Sequence, residues 1–131
     1  PRVANTVTKP EILAVPGSLD FHAVELGRIS DPLTLWVSND GTSWLDVESA
    51  SLTGAHSDEF EIRSDGCSGV RLAPSTSCPV EVVFTPVSVG TKDAGVSVSS
   101  NDPDAPVVSV NIIAIGLATG DAPRIMPVAA D

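Results

Sequence analysis

The stretch DAGVSVSSNDPDAPVVSVNIIAIG, residues 93–116, decides the fold. It contains two runs in which apolar and polar residues alternate, one on each side of the polar segment SNDPDAP. Alternation with a period of two is typical of a β-strand that buries one face. Asn, Asp and Pro favour a turn, because they bond the local backbone or restrict φ. The stretch therefore predicts two consecutive strands joined by residues 100–106.

The same alternation recurs along the chain between Gly, Pro, Asn and Asp residues, and helical periodicity is almost absent. The first predicted strand is EILAVPGSLDF, broken at Pro16–Gly17, and the last is VVSVNIIAIG. Together the segments predict an all-β fold, a seven-stranded immunoglobulin-like β-sandwich. We expect the sandwich to span residues 11–117. An irregular N-terminal arm or linker is predicted at 1–10, and an irregular C-terminal tail at 118–131.

The charge balance argues against several partners. The 131 residues include 17 acidic and 7 basic side chains, for a net charge of −10. Such a surface repels phosphate backbones and anionic lipid headgroups. No apolar run approaches the length of about 20 residues that a membrane helix needs. We therefore expect neither a nucleic-acid partner nor a membrane span in this chain.

The two cysteines lie close together in SDGCSGVRLAPSTSC, as Cys67 and Cys78. A structural zinc site needs about four ligands, and the rest of the chain offers only His22 and His56 as further ligands of the usual kind. A local disulfide is the preferred interpretation. It implies an oxidising compartment, so we expect an exported protein that is periplasmic or extracellular.

Several segments together resemble a known family. In order they are SLDFHAVELG, VSNDGTSWLDVESASLTGAHSDEFEI, CSGVRLAPSTSCPVEVVFTPVSVGT, VSSNDPDAP and VNIIAIG. This set is similar to the ASH-type (abnormal-spindle/Hydin class) immunoglobulin-like domain, in its bacterial choice-of-anchor D form, over about Leu19 to Gly116. His22 and Ala114 depart from the family pattern, since each stands where the family often has Gly.

The resemblance implies a structural or adhesive module without catalytic residues. The residues themselves agree with this, because no GxSxG motif is present and only two histidines could act as a base. We therefore expect a protein that is not an enzyme and that needs no cofactor.

The segment between the last two predicted strands offers a weak calcium candidate. Asn101, Asp102 and Asp104 supply three oxygen-bearing side chains, whereas calcium takes six to eight oxygen ligands. The same residues suit a turn, in which Asn and Asp bond the backbone and Pro103 restricts φ. The turn is the preferred interpretation.

Four apolar residues are predicted to point away from the core and to bind a partner. Trp36 and Val83 face outward from neighbouring strands, while Ile113 and Ile115 face outward from the other sheet. Exposed apolar patches mark interaction surfaces. The alternative is that the terminal arms cover these residues. Trp44, beside the NDGT turn, is predicted to plug one end of the core.

These observations lead to two hypotheses. The first is an extracellular or periplasmic structural and protein-interaction module that acts as a repeat unit, a fibre component or an accessory subunit of a larger assembly. Its contacts would use the exposed sheet faces and the terminal arms. The alternative is a carbohydrate-binding or adhesin domain at the cell surface, for which only Trp36 or Trp44 would supply an aromatic platform.

Overall fold

A computed structural model describes residues 8–119 of the chain. These residues form nine β-strands and one short 3-10 turn, Ser57–Glu59. The strands are β1 Ile12–Val15, β2 Ser18–Glu25, β3 Leu33–Asn39, β4 Leu45–Thr53, β5 Phe60–Asp65, β6 Arg71–Leu72, β7 Ser77–Phe84, β8 Gly90–Ser100 and β9 Val107–Leu117.

The strands form two sheets that face each other across one core. The four-stranded sheet has the order β1-β3-β7-β5, and the five-stranded sheet has the order β2-β9-β8-β4-β6. All neighbours pair antiparallel except β2 and β9, which run parallel. The architecture is a β-sandwich, as the alternating sequence predicts.

The number of strands differs from the predicted seven for two reasons. The first predicted strand divides at Pro16–Gly17, so that β1 joins the four-stranded sheet and β2 joins the five-stranded one. In addition, the two-residue strand β6 lies inside the loop between the cysteines and pairs with Leu45 and Asp46. A two-residue strand is too short to carry a period-two pattern.

The core is built from the inward positions that the alternation identifies. On β7 these are Cys78, Val80, Val82 and Phe84, all nearly or fully buried. Three phenylalanines join the two layers. Phe60 stacks on Phe84 with ring centroids 4.7 Å apart, and Phe21 of the opposite sheet packs against both rings. The aromatic residues thus fill the space between the sheets at the end where β7 finishes.

Asn39 fastens the N-terminal residues of the described part to the sandwich. Its buried side-chain amide donates to the carbonyl oxygens of Ser43 and Leu72, and its Oδ1 accepts from the backbone N–H groups of Glu11 and Gly41. Within residues 8–119, no helix is long and apolar enough to cross a membrane. Most of the predicted arm and tail, residues 1–7 and 120–131, lies outside the described residues, and the predicted domain limits stay a prediction.

Candidate interaction surfaces

The outer face of the four-stranded sheet carries a row of apolar side chains. Val15 of β1 lies opposite Trp36 of β3, and Trp36 lies opposite Pro79 of β7. Trp36 is 48% exposed and Val15 is 47% exposed. Leu13, two residues before Val15 on the same face, is also exposed. We call Leu13, Val15, Trp36 and Pro79 the Trp36 platform.

Val83 does not belong to this surface, and the prediction that it forms an exposed patch with Trp36 is wrong. Val83 is only 4% exposed. It lies opposite Glu61 of β5 on one side. On the other side, the segment between β2 and β3 runs along the end of β7, where Ser30 and Phe84 exchange hydrogen bonds. Val83 also lies four residues along β7 from Pro79, the residue that pairs with Trp36.

The two isoleucines of β9 are exposed on the outer face of the five-stranded sheet, as predicted. Ile113 is 47% exposed and Ile115 is 40% exposed. Ile113 lies between Asp20 of β2 and Asp93 of β8 in one row across three strands. Beside this row is a shallow depression of about 410 Å³ around Gly95. The structure thus separates the predicted partner-binding residues onto two opposite faces.

Cys67 and Cys78 form the predicted disulfide, and both are buried. Asp65 shapes the start of the bridged loop by accepting the backbone N–H groups of Cys67 and Ser68 as well as the Ser68 hydroxyl. Partial burial raises the pKa of Asp65, but these three hydrogen bonds outweigh it and hold the pKa below its ordinary value.

Residues 101–106 connect β8 to β9, in agreement with the predicted turn. Asp102 is buried, and its carboxylate accepts backbone N–H groups from Ile12, Asp104 and Ala105. Burial raises the pKa of Asp102, but these hydrogen bonds and the nearby charge of Lys9 outweigh it and hold the pKa below its ordinary value.

The other two calcium candidates are also engaged with the protein. Asn101 accepts the backbone N–H of Asp46, and Asp104 forms an ion pair with Lys9. Among residues 8–119, no group of three or more acidic, histidine or cysteine side chains is arranged to hold a metal ion. The oxygens of this turn thus fasten β1 and β4 to the β8–β9 connection.

Trp44 lies at the surface, so the prediction that it plugs the core is wrong. Its side chain is 53% exposed, and the guanidinium of Arg71 lies 5.9 Å from the ring centroid. Arg71 is held there by its ion pair with Asp46. The apolar residue that fills this end of the core is Leu45, the next residue along the chain, which is fully buried.

A buried ion pair that the sequence did not predict links the two sheets. Lys92 of β8 and Glu59 of the 3-10 turn are both almost fully buried and lie 3.2 Å apart. Burial raises the pKa of Glu59, but the Val87 N–H and the Lys92 ammonium outweigh it and keep the pKa below its ordinary value. On β8, Lys92 lies in phase with the inward residues Ala94, Val96 and Val98. This phase is the sequence signal that could have predicted the burial of Lys92.

Comparison with known proteins shows the fold. No family model matches the chain, and no curated protein matches it. Among solved structures, the ASH/PapD-like domain 7 of human CEP192 is 14% identical with a TM-score of 0.61, and the match covers 90% of this chain and 95% of that one. The E. coli chaperone DraB is 13% identical with a TM-score of 0.58, covering 82% of this chain and 56% of DraB.

A third similar structure is the secreted serine protease VesC from Vibrio cholerae, 19% identical with a TM-score of 0.59. The match covers 75% of this chain but only 21% of VesC. The expectation that the protein is not an enzyme is therefore wrong. This fold does not exclude an enzyme, because it also occurs within a protease. At this identity the likeness shows the fold alone, and it assigns no catalytic residue to this chain.

These comparisons confirm the resemblance to ASH-type immunoglobulin-like domains at the level of the fold. The choice-of-anchor D form stays a prediction.

Proposed function

We propose that this chain is a protein-interaction module of an exported protein, and that a partner docks on the Trp36 platform. The observation that carries the proposal is the exposure of Trp36 in the middle of a sheet face, between Val15 and Pro79. Contiguous exposed apolar groups mark interaction surfaces, and tryptophan is enriched among the residues that dominate binding energy.

The module would act as a repeat unit, a fibre component or an accessory subunit in the periplasm or outside the cell. The disulfide between Cys67 and Cys78 supports export, because such bonds persist in oxidising compartments. A domain of this fold also occurs as one part of a longer protein, since the match covers only 21% of VesC.

The test compares which exported proteins of the source cells bind to each immobilised form of the domain. The immobilised wild type, Trp36→Ser and Val15→Ser are each incubated with that fraction, and retained proteins are quantified by mass spectrometry. Asp40→Asn, in the exposed turn after β3, is the matched control. We expect a set of proteins retained by the wild type and the control but lost with both platform variants.

The variants must be folded for the comparison to be informative, so each is first checked by its circular dichroism and its urea midpoint. If folded Trp36→Ser retains the same proteins as the wild type, the Trp36 platform is not the docking surface.

Carbohydrate binding is the second candidate, because both tryptophans are about half exposed, Trp36 at 48% and Trp44 at 53%. An exposed indole ring can stack on the apolar face of a sugar. A glycan array probed with the wild type, Trp36→Ala and Trp44→Ala tests this. Hits that disappear with one tryptophan variant would support it, and an array without hits would remove it.

A further inference from the structure

The outer face of the five-stranded sheet has a distinct charge pattern. In the described strands β2, β4, β8 and β9, the only Lys or Arg is Lys92, and its side chain is buried on the inner face. Asp20 and Asp93, by contrast, are exposed on the outer face. The strand of this sheet that carries an exposed basic residue is β6 at its far edge, where Arg71 pairs with Asp46. The part of the face formed by β2, β9 and β8 therefore presents negative charge with no exposed Lys or Arg from those strands.

The two carboxylates flank an apolar residue. Asp20, Ile113 and Asp93 occupy one cross-strand row, and side chains in such a row project to the same face. The two aspartates are separated by two strand spacings, about 10 Å. His22 lies next to Asp20, with its Nδ1 3.5 Å from the carboxylate, and His56 accepts the backbone N–H of Asp93 through its Nδ1.

A groove lies immediately beside this row. Gly95 sits between Thr53 and Asn111 in the neighbouring cross-strand row, and the depression of about 410 Å³ lies around it. The residues that line the groove include the aliphatic Ile113, the acidic Asp93 and the polar residues Thr53, Ser109 and Asn111. A long side chain with an aliphatic stem and a cationic end matches this lining.

We propose that this face binds an extended, basic segment of a protein partner, in which arginine residues flank an aliphatic one. The aliphatic residue packs on Ile113 and Ile115, and one arginine lies across Gly95 and pairs with Asp93. A second basic side chain pairs with Asp20. The proposal goes beyond the Trp36 platform, because it concerns the opposite sheet and a partner of defined charge.

The geometry of β2 favours binding on the face over addition of a strand at the edge. β2 is the edge strand of this sheet, but a bulge between Asp20 and His22 interrupts it. His22 adopts a φ of 60° there, and its N–H is taken by the Asp20 side chain. Bulges of this kind protect sheet edges against pairing with another chain.

The test titrates ¹⁵N-labelled domain with a synthetic peptide of alternating arginine and valine. We expect saturable shifts of the amide signals of Asp93, Gly95, Asn111 and Ile113. Asp93→Asn and Asp20→Asn are each expected to weaken binding about three- to fivefold, as the loss of one exposed ion pair does. Ile113→Ser is expected to weaken it as well, because it removes the apolar contact.

Asp40→Asn removes the same charge at a distant turn and is the control for attraction by net charge alone. An equal loss of affinity in this variant, or shifts spread over all acidic residues, would overturn the proposal, and so would the absence of saturable binding. A peptide of alternating glutamate and valine must not bind. Trp36→Ser is expected to leave the peptide affinity unchanged, so this surface and the Trp36 platform succeed or fail independently.

Discussion

The ammonium group of Lys92 lies 3.2 Å from Oε2 of Glu59, and their side chains are only 1% and 4% exposed. The pair is completed by neighbours: Lys92 also donates to the Ser88 hydroxyl, and Glu59 accepts the Val87 N–H through Oε1. Both charges therefore have partners inside the protein. A buried pair of this kind ties the 3-10 turn before β5 to strand β8 of the opposite sheet.

Breaking this pair is expected to be costly. Lys92→Met leaves the Glu59 carboxylate buried without its counter-charge, which costs about 3–5 kcal/mol of unfolding free energy. Glu59→Gln likewise leaves the Lys92 ammonium buried without its counter-charge. The double variant is expected to lose less than the sum of the two single losses, because no unpaired charge remains. Urea unfolding of the wild type, the two single variants and the double variant measures these losses. Losses in unfolding free energy that add strictly would show that the pair is not coupled.

Stability is expected to fall in acid partly through Asp102. Its pKa is lower in the folded protein than in the unfolded chain, so the folded state binds fewer protons. The contribution of Asp102 is then present above the unfolded pKa and is lost as the pH falls through the folded value. Asp102→Asn should be less stable than the wild type at about pH 7, and the difference should shrink toward about pH 3.

Urea midpoints across this pH range check the Asp102 prediction, with Asp40→Asn as the control for removing one negative charge. A difference between the wild type and Asp102→Asn that does not change with pH would contradict it. Hydrogen exchange at the Ile12 amide gives a second readout, because this N–H donates to the Asp102 carboxylate.

The disulfide is expected to stabilise the domain by restricting the unfolded chain. The bridged cysteines are 11 residues apart, and the chain-entropy estimate for such a loop is about 3 kcal/mol. The double variant Cys67→Ser/Cys78→Ser should lose this amount in urea unfolding. Reducing agent should lower the midpoint of the wild type and leave that of the double variant unchanged. A wild type insensitive to reduction would contradict the prediction.

Two valines on the same sheet face provide a matched test of where the exposed surface ends. Val83 is 4% exposed and Val15 is 47% exposed. Val83→Ser should cost about 2–3 kcal/mol, since it buries a hydroxyl and removes packed methyl groups. Val15→Ser should cost less than about 1 kcal/mol. Equal losses in thermal or urea unfolding would show that the two positions do not differ in burial.

The local alternation was sufficient to predict most of the sandwich. Leu35, Val37, Val96 and Val98 are buried as their phase predicts, because a strand with one buried face repeats every two residues. The turn at 101–106 and the disulfide were also predictable, since each depends on residues close together in the chain.

Features that depend on distant segments were not predictable in the same way. Val83 has the phase of an outward residue, yet it is buried at an end of β7 where the segment around Ser30, more than fifty residues earlier, lies alongside the strand. The division of the first strand between two sheets likewise depends on which strands β1 and β2 find as neighbours. For Lys92 the inward phase was visible, but its partner Glu59 was not, because the two residues meet only in the folded protein.

The parallel pairing of β2 with β9 determines how these two strands respond to mechanical load. Ser18 lies opposite Asn111 and Glu25 lies opposite Leu117, so the start of β2 and the end of β9 are at opposite ends of the pair. Tension applied to Ser18 and Leu117 pulls the two strands past each other along their length. Their hydrogen bonds then bear the force together and do not open one at a time.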